Sequence, residues 1–257
     1  MKNIFLLLTS ATLLLACQTE VNEISKSASS QQVQQNNTND FNTLYSEIQN
    51  DYANELNSDS IIGTIEVVKI GEQTWMKYNL DTDHFRNGDK IQHAKTPDEW
   101  RKCCDQNIPA WCYMEFYEKE MNKAVGKLYN ESVVHDSRGI LPNGWRIPNT
   151  QDWTLLTSSF NLPICNMKSR AGWLRTSIGN CGTESPNPNI ASGKFTLYPV
   201  GYRLSPSAFA APFEMAFLWT LDGDNASVFN LTDRLAKVSF VAGDKYKGIN
   251  IRGIKSN

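Results

Sequence analysis

All seven tryptophans of this 257-residue chain lie after residue 60, and the segment before that point cannot build a core. Residues 18–60 carry seven acids (Glu20, Glu23, Asp40, Glu47, Asp51, Glu55, Asp59) and one base (Lys26), a net of −6, whereas residues 61–257 carry 23 bases and 20 acids. Ser27 to Asn39, with its Ser-Ser-Gln-Gln and Gln-Gln-Asn-Asn runs, holds too little apolar surface to offset the entropy of ordering and reads as a flexible spacer. Folding is therefore confined to about residues 61–257, a length that can bury a sizeable core unaided. The whole chain is 40% apolar and 20% charged, an ordinary globular composition, and its formal charge of −2 gives no electrostatic footing for nucleic acid. With Gly at 15 and Pro at 10, collagen-like and low-complexity readings also fail.

The first residues carry an address. Met1-Lys2-Asn3 is a short positive start, and Ile4 to Leu15 is apolar apart from Thr9, Ser10 and Thr12, the layout of a secretory signal too short to span a bilayer. Leu14-Leu15-Ala16-Cys17 resembles the bacterial lipoprotein lipobox, in which the Cys thiol accepts a diacylglycerol and becomes the first mature residue. The alternative is an ordinary signal followed by an incidental Cys. Acyl chains such as palmitate contribute about 0.8 kcal/mol per buried CH2, so a multiply acylated Cys17 would be a firm membrane anchor. Gln18 stands where an Asp would imply inner-membrane retention, so the resemblance implies an outer-membrane lipoprotein, at the periplasmic face or the cell surface. The expected organisation is a signal over 1–17, an acidic tether over 18–60 and one domain over 61–257. Within the tether, Phe41, Leu44, Tyr45, Ile48 and Tyr52 recur at helical spacing, predicting a short helix from Phe41 to Leu56 with Asp40 as N-cap.

Within the domain, Val67 to Ile70 and Thr74 to Tyr78 flank Gly71-Glu72-Gln73 and predict a β-hairpin, Gly71 supplying a positive φ. Thr96-Pro97-Asp98-Glu99 is a capping box with Pro at N1, predicting a helix to about Cys103. Asn149 can cap a second helix with Asp152 at N3 and Trp153, Leu156 and Phe160 on one face. Short strands are expected at Phe195–Tyr198, Phe217–Thr220, Ala226–Phe229, Ala236–Phe240 and Ile249–Ile254, separated by Gly, Asp and Asn turns. The pattern is α+β and loop-rich.

Several blocks have a family likeness. Val67 to Leu80 is similar to the "VKIGxQxWMxxNL" opening of the Fibrobacter succinogenes major paralogous domain family. Asn87 to Ile91 with Trp100, Pro109-Ala110-Trp111-Cys112-Tyr113, Gly126-Lys127-Leu128-Tyr129-Asn130 and Arg138 to Pro148 with Trp153 resemble further family blocks, in order. Leu218-Trp219-Thr220 and Gly248 to Lys255 resemble its tail. The family in turn resembles the C-type-lectin-like fold, which implies an α+β domain of small sheets, many loops and two main helices. Gly253 stands where the family usually has Cys, and Glu131 where many members have Trp.

In an oxidising envelope compartment disulfides are expected among the cysteines left after Cys17. Cys165 with Cys181 would close a loop of about 15 residues, contributing roughly 3 kcal/mol in the chain-entropy picture. Cys112 with Cys103 or Cys104 is the other expected bridge. Five cysteines cannot all pair; the resemblance implies that the odd one lost its partner at Gly253, and the alternative is an intermolecular or reactive thiol.

No catalytic signature stands out. His84, His93 and His135 are the only imidazoles and none has metal-ligand spacing; G-x-S-x-G, P-loop and G-x-G-x-x-G motifs are absent. Asp222-Gly223-Asp224-Asn225 offers three oxygen-bearing side chains in one turn, a candidate Ca2+ or ligand site, against the alternative of a solvated hairpin turn. Glu184-Ser185-Pro186-Asn187 only approximates a lectin triplet. Trp173 and Tyr202, in the span from Pro163 to Pro212, are candidate platforms for a sugar ring or peptide. The expected role is non-catalytic, binding a polysaccharide, cell-wall polymer or protein partner, with no nucleic acid and no cofactor beyond that Ca2+. The alternatives are an enzyme of the formylglycine-generating type, which uses a Cys pair on this fold, and a structural part of an envelope assembly.

Overall fold

The computed structural model describes residues 46, 65–116, 125–159, 167–169, 173, 195, 197–232, 238–242 and 244–256. The chain divides into two compact units, Met1–Ser46 and Glu47–Asn257, and the architecture below is that of the second. Cys17, Cys165, Cys181, Phe160 and Glu184 to Asn187 lie outside the described residues, as does the tether apart from Ser46, which is helical.

The domain is α+β. The expected hairpin is present as β1 (Val67–Ile70) and β2 (Gln73–Met76), with Gly71 at φ 57° in a two-residue loop. Val68 and Ile70 point inward while Val67 and Lys69 stay exposed, the period-two alternation of a half-buried strand. Next come β3 (Gln92–His93), α1 (Pro97–Asp105), β4 (Ala110–Cys112) and β5 (Leu128–Tyr129). The Thr96 hydroxyl accepts from the Glu99 N–H, the Glu99 carboxylate accepts from the Thr96 N–H, and Trp100, Cys103 and Cys104 form the buried face of α1. A four-residue α2 (Glu131–Val134) and β6 (Trp145–Arg146) lead into α3 (Thr150–Ser159). The Asn149 side chain accepts from the Asp152 N–H (2.8 Å) and the Asp152 carboxylate accepts from the Asn149 N–H (2.7 Å), the reciprocal cap expected there. Five strands close the chain: β7 (Tyr202–Ser205), β8 (Ala208–Ala210), β9 (Met215–Asp222), β10 (Asn225–Thr232) and β11 (Val238–Ala242), followed by β12 (Ile254–Lys255).

The strands form small sheets in the orders β1-β2-β12-β6, β11-β10-β9, β3-β4-β5 and β7-β8; among these described strands β3 and β4 are the parallel pair. The β7–β8 hairpin was not expected: its segment reads as loop because Ser205-Pro206-Ser207 interrupts it, and a register shift between Arg203 and Ser205 absorbs the irregularity. Ile249–Ile254 is not one strand either. Instead the final segment runs as a seam across the domain. Gly248 exchanges backbone hydrogen bonds with Arg203, Ile249 with Tyr129, and the Asn250 carbonyl accepts from Trp219. The Ile251 and Gly253 carbonyls accept from Leu80 and Met76, and Ile254 pairs with both Trp75 and Arg146.

The sheet of β9 and β10 divides the core. Ala216, Leu218, Phe229 and Leu231 face one cluster, where Trp153 of α3 stacks on Phe229 at 4.0 Å and lies 4.7 Å from Trp75. Phe217, Trp219 and Val228 face a second cluster with Met76, Trp111, Tyr129 and Ile249. Large aromatics of this kind each remove about 150–250 Å2 from water, so the six buried tryptophans contribute heavily to the burial of so loop-rich a domain. The expected bridge from Cys112 to Cys103 or Cys104 is not formed: all three thiols are free and buried. Cys104 faces the Asn130 side chain and Cys112 the Arg203 guanidinium, so each sulfur sits in a packed environment of its own.

Candidate functional site

An open groove of about 350 Å3 lies between the end of β4 and the β7–β8 hairpin. Its first wall follows from strand pairing. His93 and Trp111 are register partners in β3 and β4, so their rings stack at 3.8 Å and 8°. Tyr113, two residues beyond Trp111, meets that indole edge-on at 5.2 Å. Behind them the buried Lys127 ammonium lies 4.7 Å from the Trp111 ring and 5.0 Å from the Tyr113 ring, paired with Asp81 at 2.6 Å. The Tyr113 hydroxyl also donates to Asp81 (3.2 Å), so the wall is braced from within. Burial, with Lys95 nearby, holds the His93 pKa below the ordinary imidazole value.

The opposite wall is the β7–β8 hairpin. Arg203, 4% exposed, lies with its guanidinium 4.8 Å from both the Trp100 and Phe209 rings. Its Nε donates to the Ser205 carbonyl (3.3 Å) and its Nη2 to the Pro206 carbonyl. The exposed Phe116 ring meets Phe209 edge-on at 6.4 Å. Cys112 and Met114 form the floor, and Lys95, Glu115 and Ser207 lie along the rim.

The residues singled out from sequence do not converge on this groove. Trp173 is buried in the first core cluster, its Nε1 donating to Ser169 and the Lys168 ammonium 4.4 Å over its ring, so it offers no open face to a ligand. Tyr202 packs on Phe217 at 4.3 Å against the second cluster. The Asp222–Asn225 turn is a two-residue hairpin loop with Gly223 at φ 62°. Within it, the Asp222 carboxylate accepts from the Thr150 N–H (3.1 Å) and hydroxyl (2.5 Å), fastening the turn to the start of α3. Asp224 and Asn225 are left as exposed side chains, well short of the six to eight oxygens a Ca2+ takes, and no group of three metal-ligating His, Cys, Asp or Glu side chains occurs among the described residues. A second cavity of about 420 Å3 lies beside this turn, between Val134, Ile140, Trp145, Arg146 and Leu221. Sequence reasoning missed Arg203, Phe209, His93 and Lys95. The Trp111-Cys112-Tyr113 alternation was the one local signal of a strand carrying two aromatics on a single face.

The recurring sequence blocks are mostly scaffold. Asn79 accepts from Nε and Nη2 of the fully buried Arg252 (3.0 and 2.8 Å) and donates to the Val125 carbonyl. Gly126, at φ 82°, is required because a Cβ there would lie 2.8 Å from Asn79 Cβ. Asn130 bridges the Ala110 N–H and the Ile108 carbonyl, and Arg146 makes a two-pronged pair with Asp152 (2.5 and 2.8 Å). At Gly253 a Cβ would meet the Met76 sulfur at 2.9 Å, so Met76 fills the space where the resemblance places a Cys. Glu131 instead faces His135 at 3.6 Å. No curated protein and no solved structure matches the chain. Residues 68–255 match the family model described as the Fibrobacter succinogenes major domain, and the chain belongs to that family.

Proposed function

We propose that this protein is a non-catalytic outer-membrane lipoprotein, anchored through Cys17, whose C-type-lectin-like domain binds a polysaccharide in the groove between β4 and the β7–β8 hairpin. The observation that carries this reading is the groove's lining, in which His93, Tyr113 and Phe209 present ring surfaces beside polar rims on a braced scaffold. Binding sites combine apolar or aromatic walls with a few placed polar groups in this way. The fold assignment rests on the family likeness, with the first hairpin and last strand joined in one sheet, two main helices and long connections in support.

The groove's cysteine favours binding over chemistry. Burial pushes the Cys112 thiol up to about 11 and the Cys104 thiol up to about 12, leaving both as thiols at neutral pH and poor nucleophiles. The pair on which the formylglycine-generating alternative would draw, Cys165 and Cys181, lies outside the described residues. The test is an array of glycans and cell-wall polymers probed with the full chain, with and without Ca2+. A glycan hit abolished by Tyr113→Ala or Phe209→Ala supports the reading, and a blank array sinks it. Palmitate labelling of the chain in cells, lost on Cys17→Ser, tests the anchor.

A further inference from the structure

Resting on that reading, we infer that the groove selects acidic polysaccharides, with a sugar carboxylate received by Arg203 and Lys95. Arg203 is a buried cation on the groove wall that makes no ion pair among the described residues; its hydrogen bonds go to the Ser205 and Pro206 carbonyls and to the Cys112 thiol, none of them an anion at neutral pH. Aromatic faces at Trp100 and Phe209 hold the guanidinium without neutralising it. A buried positive charge is costly unless an anion meets it, and the N–H groups of Nη1 and Nη2 that remain beyond those three bonds can donate to a carboxylate.

The surroundings agree in sign. Lys95 on the rim also makes no ion pair among the described residues, because Glu99 turns its own carboxylate back to the Lys95 and Thr96 backbone N–H groups. Among the described residues Glu115 is the one acidic side chain lining the groove and His93 is held toward its neutral form, so that described lining carries a single net positive charge. A monoanionic carboxylate matches that excess better than a dianionic phosphate. The ring surfaces of His93 and Tyr113 opposite would lie along the sugar bearing it, which favours a uronic-acid polymer over an acidic peptide.

The probes are polygalacturonic acid and its fully methyl-esterified form, which share a backbone and differ in charge, titrated against the full chain by calorimetry. The acid is expected to bind at least tenfold tighter than the ester and to weaken as salt rises. Lys95→Glu, an exposed change, is expected to lower that affinity several-fold, and Arg203→Gln to abolish the preference for acid over ester. Should Arg203→Gln fail to fold by circular dichroism, the Lys95 variant and the ester comparison decide. Equal binding of acid and ester, or capture of neutral polymers alone, overturns the inference while leaving polysaccharide binding intact. Binding of poly-glutamate in preference to any polysaccharide, or of no polymer at all, overturns both.

Discussion

Cys103, Cys104 and Cys112 are three thiols that an oxidising compartment would be expected to pair, yet each sits unpaired in a packed interior. Because burial raises all three above the ordinary thiol value, a thiol-reactive disulfide reagent at pH 8 is expected to titrate none of them in the native protein and all of them in denaturant. Loss of one pair of titratable thiols in denaturant would instead show that a bridge forms. His93 allows a second residue-level test. Desolvation first, and then the Lys95 charge, depress its pKa, with Glu99 opposing. The unfolded chain therefore binds the proton more readily, so this contribution to stability is complete above the ordinary imidazole value of about 6.5 and is lost as pH falls through the folded value. Urea unfolding at pH 7.5 and 5.5 should show a fall for the parent protein that shrinks in His93→Phe; an equal fall in both would remove His93 as its source. At this scale the sequence displayed the chemistry but not its direction. Trp173 and Tyr202 were visible as aromatics in a loop-rich span, whereas the packing of Tyr202 on Phe217 and the facing of Arg203 toward Trp100 depend on partners in other elements.

Elements set by neighbouring residues were legible, and those set by distant partners were not. The Thr96 and Asn149 caps could be read directly because every atom involved lies within four residues. The β9–β10 hairpin was legible in its strands and turn, but the use of Asp222 was not, since its partner Thr150 belongs to another element. Asp222→Ala should therefore act as the loss of a helix-end interaction, lowering stability by about 1 kcal/mol in chemical denaturation. Adding Ca2+ should stabilise neither form, and a Ca2+-dependent rise in the parent protein that vanishes in Asp222→Ala would restore the turn as a metal site. The β7–β8 hairpin, which supplies one wall of the groove, escaped notice because its strands are short, its turn contains Pro206 and its register shifts between Arg203 and Ser205. A groove built from that hairpin and β4 was beyond reach of any local pattern.

For the domain as a whole, tryptophan placement and charge located the folded part, but the way its small sheets hold together is non-local. Strands of two to five residues are marginal by themselves, and the single seam from Gly248 to Ile254 joins β7, β5, β9, β2 and β6 in succession. Each junction also brings a buried side chain, Ile249, Asn250, Ile251, Arg252 and Ile254, into one of the cores or the polar strut at Asn79. Folding must then close nearly the full length of the domain before Ile254 can pair with Trp75, which predicts slow, cooperative folding in the range of milliseconds to seconds. Deleting the last nine residues, from Ile249 onward, should leave no cooperative thermal transition, because three of the four sheets lose their common partner at once. Gly126→Ala is a milder probe of the same architecture. It places a side chain at a left-handed φ and against Asn79 and the Leu80 carbonyl, so a cost of about 3 kcal/mol is expected, with one sharp transition retained at lower temperature. Two separable transitions in that variant, or a sharp one in the truncated chain, would mean that the sheets fold independently and that the seam only decorates them.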